Sequence, residues 1–588
     1  MDPTPAEPPP GCLVLLLRLS VDMTADVVTS RGEVPAFAAA RQLADELLDG
    51  LVNTVAAGYA VGALDVAVLG YRTWLGDTPQ LLSLLPDGDP KARFVPLARV
   101  AEMPAVARGG EGLPRKWAVV LACEGEPCET AALASVYQMV SVWLTGRYAS
   151  RPPVVIHCTG ADALDDAYLR VARSLTLLAT AHGPARLMHY VFGEPTPPAP
   201  LPEGKVEREE PTPQPPPCRE GEKELGATLN VSELRSSCSP SLGGGGWGVG
   251  SSFPGRVFVN DWDITDPWDA LFTYAMQEDG IAWAESGAGF APARSMWAQK
   301  MGNTPEQWED AFALNEAAGA AAIADGASSG IYCSIWAQQL SQRFLSDRPD
   351  TRDPIALNKW VNGLRTEWRT AISYSTLNWS KQAKVDQVGA AATLLGLELG
   401  PADDKGNRPW RACAVGDASL FWVRAGKLLA TFPVVAADQF GSAPLLVRSN
   451  PGFRTVAVAA AGTCELGDRF ILATDAVAAR LFKSAATGPG PEWTRFEVIA
   501  EEVWRAELDV LRRANDMVND DCTLVVLRVS GGSEDQGADA PRSPQNEGDI
   551  IAADAGDLMI DLPHDPPAPN NNPQATRDGF PESTDPGV

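Results

Sequence analysis

Histidine is nearly missing from this sequence. Four occur in 588 residues, and none lies between Glu309 and Thr523. Zinc sites and imidazole catalysis therefore have little to be built from. Close cysteine pairs are scarce too. Of ten cysteines, only Cys123 and Cys128 are near each other. Reduced thiols and a cytoplasmic setting are the expectation. There is no run of eighteen apolar residues, so no membrane-spanning helix is expected. The start, Met1-Asp2-Pro3-Thr4-Pro5, lacks the basic segment of a secretory signal. Positive charge is in deficit, with 48 Lys and Arg against 75 Asp and Glu and a formal net charge of -27. That balance speaks against nucleic acid and anionic membrane as partners. Gly243 to Gly246 is not followed by Gly-Lys-Ser/Thr, so it is no phosphate-binding loop.

The chain is too long for one core. Residues 1–10 are expected to be disordered. Residues 11–192 alternate strand and helix patterns. Leu13 to Leu19 is a nearly continuous apolar run, as a buried parallel strand would be. Val34 to Val55 places Phe37, Ala40, Leu43, Leu47, Leu48 and Leu51 at helical spacings. Ala63–Tyr71, Trp117–Ala122 and Pro153–His157 read as further strands, and Ala131–Leu144 and Asp165–Ala179 as helices. The alternation predicts an α/β doubly wound parallel sheet. Residues 193–255 form a Pro/Gly-rich linker. Residues 256–530 open with Trp262, Trp268, Trp283 and Trp297, which packing explains. Helices at Ile331–Phe344 and Pro354–Leu377 then sit among many strands, which suits an α+β arrangement of antiparallel sheets flanked by helices. Residues 531–588 form an acidic tail expected to be disordered.

What this second segment has in abundance is carboxylates at the ends of apolar runs. The series is Glu309-Asp310, Asp325-Gly326, Gly416-Asp417, Thr474-Asp475 and Asn519-Asp520-Asp521-Cys522-Thr523. A lone aspartate at a strand end is usually a turn residue or a cap. Five such motifs in one segment point instead to hard divalent cations held through oxygen. With no histidine among them, magnesium or manganese is favoured over zinc. Two such ions about 3.5–4 Å apart can activate water and clamp a phosphoryl group.

In this order the motifs resemble the metal-dependent PPM-type protein phosphatases, the protein phosphatase 2C family. Ala-Asp-Gly-Ala-Ser at 324–328 and Gly389 to Leu395 resemble a bacterial branch. The resemblance covers about residues 283–530. It implies an antiparallel β-sandwich flanked by helices and a serine/threonine phosphatase that binds two Mg²⁺ or Mn²⁺ ions. It implies Asp310, Asp325, Asp475 and Asp520 as metal ligands and holders of the attacking water. Gly326 would contribute its carbonyl, Glu309 would act through a water, and Asp417 would sit beside a third, weaker ion. Adjacent Asp521 leaves the choice of ligand open, although the family spacing favours Asp520. The arginine that some members carry before the Glu-Asp pair is absent. Arg294 and Lys300 are the cations at hand.

Leu13 to Thr24 resembles the first strand of a von Willebrand factor A-like domain. That family binds a cation through Asp-x-Ser-x-Ser at this place. Here Arg18-Leu19-Ser20-Val21-Asp22 puts an arginine first, which would repel a cation. A protein-interaction module without a metal is the expectation. The combined reading is a phosphatase acting on phosphorylated protein, with a protein partner on its first domain. The alternative is a catalytically inactive phosphatase-like adaptor or scaffold.

Overall fold

The structure, a computed structural model, describes residues 9–192, 229–230, 256–259 and 289–530, apart from short internal stretches. Contacts group the chain into Met1–Gln536 and Gly537–Val588. The second unit lies outside the described residues. So do most of 193–255, most of the expected strand at Trp117–Ala122, and Trp262, Trp268 and Trp283.

The first sheet is mixed. Its main strands are β1 (Gly11–Arg18), β2 (Leu64–Trp74), β3 (Thr78–Ser83), β4 (Val154–Thr159), β5 (Arg186–Val191), β6 (Leu229–Asn230) and β7 (Arg256–Val259), and a short eighth strand, Val95–Pro96, pairs antiparallel with β2. The main strands lie in the order β6-β7-β5-β4-β1-β2-β3. The four strands β5, β4, β1 and β2 are parallel. The strands beyond them pair antiparallel.

Every residue of β1 is buried, and the two faces have different neighbours. Leu13, Leu15 and Leu17 share a core with Phe37, Leu47 and Leu51 of α1 (Ala36–Ala56). Val14 and Leu16 share another with Val136 and Val140 of α2 (Glu129–Leu144) and Leu175 of α3 (Asp166–Leu177). Apolar cover on both faces is why the strand reads as a continuous run rather than an alternation. Each leucine so buried contributes about 1.5–3 kcal/mol. Asp165 caps α3, accepting the Tyr168 N–H at 2.6 Å.

Two five-stranded antiparallel sheets follow. Their strands are β8 (Arg294–Ala298), β9 (Ala311–Asn315), β10 (Ala320–Ala324), β11 (Leu394–Leu399), β12 (Arg408–Val415), β13 (Ser419–Arg424), β14 (Lys427–Phe432), β15 (Val458–Cys464), β16 (Arg469–Ala473) and β17 (Cys522–Arg528). One sheet runs β8-β17-β16-β13-β14 and the other β9-β10-β11-β12-β15. Their inner residues, among them Ile323, Leu397, Trp410, Leu420, Phe470 and Val525, form one core. Trp410 of one sheet meets Phe470 of the other edge-on, with centroids 5.3 Å apart.

The outward residues Ala322 and Ala324 pack with α4 (Cys333–Asp347) and α5 (Pro354–Ala371). On the other sheet, Ile471 and Val526 pack with α6 (Asp475–Ala486) and α7 (Glu501–Arg513). Where a doubly wound parallel sheet was expected, the sheet is mixed, with a parallel centre and antiparallel outer strands, and the second segment forms antiparallel sheets with helices against them.

The two halves meet through α2 and α3. Strands β14 and β15 are the outermost strands on one side of their two sheets, and unpaired edges need cover. Ser174 Oγ in α3 accepts the Thr431 N–H of β14 at 2.9 Å. Leu178, just past α3, bridges to Ala460 of β15. Gln439 Nε2 donates to the Ala134 carbonyl of α2 at 3.1 Å. Leu175 and Leu178 belong to the same core as Trp410, Trp422 and Ala460.

Candidate metal centre

In antiparallel neighbours, one strand starts where the next ends. Ala311 at the start of β9 pairs with Ala324 at the end of β10. Ala473 at the end of β16 pairs with Leu524 near the start of β17. Asp310 therefore flanks Asp325, and Asp475 flanks the Asp520-Asp521 pair. Asp417 lies between β12 and β13.

Asp310 is the most enclosed, at 2% exposure. Its Oδ2 accepts the Thr523 hydroxyl at 2.8 Å and the Thr474 hydroxyl at 3.0 Å. Thr474 Oγ1 in turn accepts the Thr523 N–H at 2.9 Å. The threonines belong to one sheet's end and Asp310 to the other's, so these bonds tie the two sheets together at the site. Asp310 Oδ1 is buried and receives no hydrogen bond from the described residues.

Burial, with the charges of Asp521 and Asp475, pushes the Asp310 carboxyl up to about 8 against the pull of the two hydroxyls. Asp325 is raised by burial first and then by Asp310, Asp475 and Asp520. Asp475 is raised by burial and by Asp520. Asp417 is pushed up to about 6 by burial and by Asp475. Glu309 is also raised by burial, with Ser328 and Lys300 opposing. Carboxylates that raise one another in this way share one field, and a cation would relieve it.

The backbone around them is tightly specified. Asp325 N–H donates to Thr393 Oγ1 at 3.0 Å, and Thr393 N–H returns a bond to the Asp325 carbonyl at 2.9 Å. A Cβ on Gly326 would stand 2.5 Å from the Glu309 carbonyl oxygen, so only glycine lets those two segments touch.

Asp520 and Asp521 divide their work. Asp521 is 3% exposed, and its two oxygens accept the N–H groups of Lys300 and Glu309, each at 2.8 Å. It clamps backbone. The Asp520 carboxylate faces the cluster and is paired with Lys300 Nζ at 2.8 Å. That ammonium also donates to Ser328 Oγ at 2.6 Å. Arg294, the other expected cation, spends its guanidinium on the carbonyls of Glu497 and Ile499.

The cluster is not a finished cage. No three His, Cys, Asp or Glu side chains among the described residues converge closely enough to hold an ion as they stand. The local bonds say why. Asp520 is held by Lys300, and Asp475 Oδ1 folds back onto the Ala476 N–H at the start of α6. Divalent ions nevertheless fit the donor set: all-oxygen, acidic, and with one buried oxygen lacking a donor. Thr474, Thr523 and Thr393 are the functional neighbours whose roles the sequence leaves unspoken.

A second polar cluster lies in the first sheet. Strand order reverses between β1 and β4, and in open α/β sheets such a crevice is a common ligand place. Here Arg18, at the end of β1, is 1% exposed. It pairs with Asp22 at 3.1 Å and with Glu129 at 2.9 Å, and its Nε donates to Ser20 Oγ at 2.5 Å. Asp22 presses so close to Gly160 that a Cβ there would meet its Oδ2 at 2.3 Å.

No family model and no curated protein matches this chain. Several solved phosphatase structures do resemble it. The photosystem II phosphatase PBCP is 15% identical, with a TM-score of 0.26 over 41% of this chain and 98% of that one. The catalytic domain of the serine/threonine protein phosphatase PstP, in complex with two manganese ions, is 16% identical, with a TM-score of 0.27 over 41% and 98%. The phosphatase domain of SpoIIE from Bacillus subtilis is 15% identical, with a TM-score of 0.22 over 44% and 99%. Likeness this low leaves the chemistry to be read from this chain's own residues.

Proposed function

We propose that this chain is a metal-dependent phosphatase that hydrolyses phosphomonoesters on serine and threonine side chains of proteins. The observation that carries the reading is that Asp310, Asp325, Asp475 and Asp520 stand at four separate strand ends, near enough for the other three to raise Asp325, while the buried Asp310 Oδ1 receives no hydrogen bond from the described residues. These four carboxylates would hold two Mg²⁺ or Mn²⁺ ions, with the Gly326 carbonyl completing the set. Glu309 would act through a water, and Asp417 is the place for a third ion. When bound, such ions make water nucleophilic at neutral pH and offset charge on a transferring phosphoryl group.

The protein's own part is positioning. Thr474 and Thr523 hold Asp310 with one oxygen free. Thr393 fixes the Asp325 backbone. Asp521 draws the Lys300 turn and the Glu309 backbone together, which sets the rim of the site. Burial of the cluster keeps the field strong by excluding water.

Residues 11–192 read as a protein-interaction module of von Willebrand factor A type. Arg18, paired with Asp22 and Glu129, stands where that type binds a cation, so partner binding there would need no metal. The inactive-adaptor alternative draws on one observation, the Lys300–Asp520 ion pair, which partly neutralises the cluster without any metal.

Hydrolysis of p-nitrophenyl phosphate with and without Mn²⁺ separates the two readings. The enzyme reading expects Mn²⁺-dependent turnover that falls at least about 100-fold in Asp325→Asn, at or beyond the range typical of outer-shell losses. A folded wild type that binds no Mn²⁺ and turns nothing over would leave the adaptor.

A further inference from the structure

We propose that Lys300 is the chain's own counter-cation for Asp520, and that a divalent ion entering the cluster competes with its ammonium for that carboxylate. The proposal rests on the metal reading above. Its geometry is built from several independent bonds. The Lys300 N–H is fixed on Asp521 Oδ1 at 2.8 Å. The next residue is tied to Asn519 twice, by Met301 N–H to Asn519 Oδ1 at 2.8 Å and by Asn519 Nδ2 to the Met301 carbonyl at 3.2 Å. A turn held in this way has little freedom to point elsewhere. Its ammonium spans Ser328 Oγ at 2.6 Å and Asp520 Oδ1 at 2.8 Å.

Nearby arginines are already committed. Arg294 serves the carbonyls of Glu497 and Ile499. Arg512 serves the carbonyls of Gln299 and Asp520 and the Asp509 carboxylate. Lys300 thus supplies the ammonium that faces Asp520, Asp521 and Glu309.

A carboxylate oxygen that donates its lone pair to an ammonium at hydrogen-bond distance is not free to coordinate a divalent ion with the same lone pair. An ion that takes Asp520 Oδ1 must displace the ammonium, and one that takes Oδ2 sits beside a repelling charge, so Lys300 opposes the ion either way. Whatever stability the ion pair lends to the metal-free chain is lost when the ion arrives. By linkage, that loss reappears as weaker apparent metal binding. Lys300 is a positioning residue in this account. It sets how readily the centre fills.

The test uses the full chain, as wild type, Lys300→Met and Lys300→Arg. Mn²⁺ affinity is measured by calorimetry at fixed ionic strength. Melting is followed in EDTA and again at saturating Mn²⁺. Competition predicts that Lys300→Met binds Mn²⁺ about 5-fold tighter, in keeping with a partly exposed ion pair. The variant should melt below wild type in EDTA and level with it in Mn²⁺. Lys300→Arg, which keeps the charge, should return towards wild type in both. Equal Mn²⁺ affinity in wild type and Lys300→Met, or a melting offset that Mn²⁺ does not change, overturns this proposal alone. No Mn²⁺ binding by any of the three folded proteins overturns the metal reading and this proposal with it.

Discussion

Asp310 depends on two hydroxyls that the chain brings from far away. Thr474 and Thr523 are 164 and 213 residues from it in sequence. Replacing Thr523 by Val removes one donor and keeps the shape. Mn²⁺ affinity or turnover should fall about 10–100-fold, the usual cost of losing an outer partner. A titration of the variant checks this, and an unchanged affinity would mean that Thr523 only packs.

Distance along the chain is also why these roles were hidden in the sequence. The acidic motifs could be picked out because apolar runs flank them. That Asp521 clamps backbone while Asp520 faces the cluster could not, because the deciding partners are the amides of Lys300 and Glu309 more than 200 positions away. A buried histidine pair gives a further prediction at this scale. His157 and His189 stack at 5.0 Å. His157 lies between the hydroxyls of Tyr71 and Tyr168, and His189 meets Thr159. Burial, helped by Arg18, holds His189 down at about 4. The unfolded chain therefore takes up a proton near 6.5 that the folded chain refuses until about 4. Stability from this group is full above about 6.5 and declines by up to about 3 kcal/mol as pH falls to 4. The raised carboxylates pull the other way over part of this range, so the comparison is with His189→Gln. Denaturant midpoints should fall more steeply from pH 7 to 4 in wild type than in the variant.

Elements end where the backbone turns left-handed. Helix α4 was expected from Ile331 to Phe344 and runs from Cys333 to Asp347, between Tyr332 at φ 58° and Arg348 at φ 44°. Helix α5 was expected to reach Leu377 and stops at Ala371, shortly before Ser373 at φ 50°. Periodicity marks a helix face well and its last turn poorly, because neither residue is the glycine that advertises such a stop. Packing between elements is equally local in its demands. Gly396 of β11 lies under the Phe344 ring of α4, where a Cβ would come within 2.2 Å. Gly396→Ala should cost about 1–3 kcal/mol through overpacking. Thermal melting reads the effect, and an unchanged midpoint would mean that α4 can shift aside.

At the scale of the whole molecule, the strand–helix alternation of the first half and the helix-flanked strands of the second were legible as pattern. Their junction was not. The Pro/Gly-rich linker expected at 193–255 carries no sign of it. The described residues put Leu175, Leu178, Trp410 and Ala460 into one core. Contacts of this kind arise between residues hundreds of positions apart, and periodicity carries no trace of them. Leu178 is fully buried there, so Leu178→Ala should cost about 2–5 kcal/mol. It should lower the melting of both halves together, and calorimetry showing two separate transitions with only one displaced would contradict a shared core. The central claim concerns the carboxylate cluster. Its most direct test is the stoichiometry of Mn²⁺ bound by the metal-free chain, read by calorimetry on wild type and Asp310→Asn. The account predicts two ions per chain in wild type, with at least one lost in the variant. A folded wild type that binds none would contradict it.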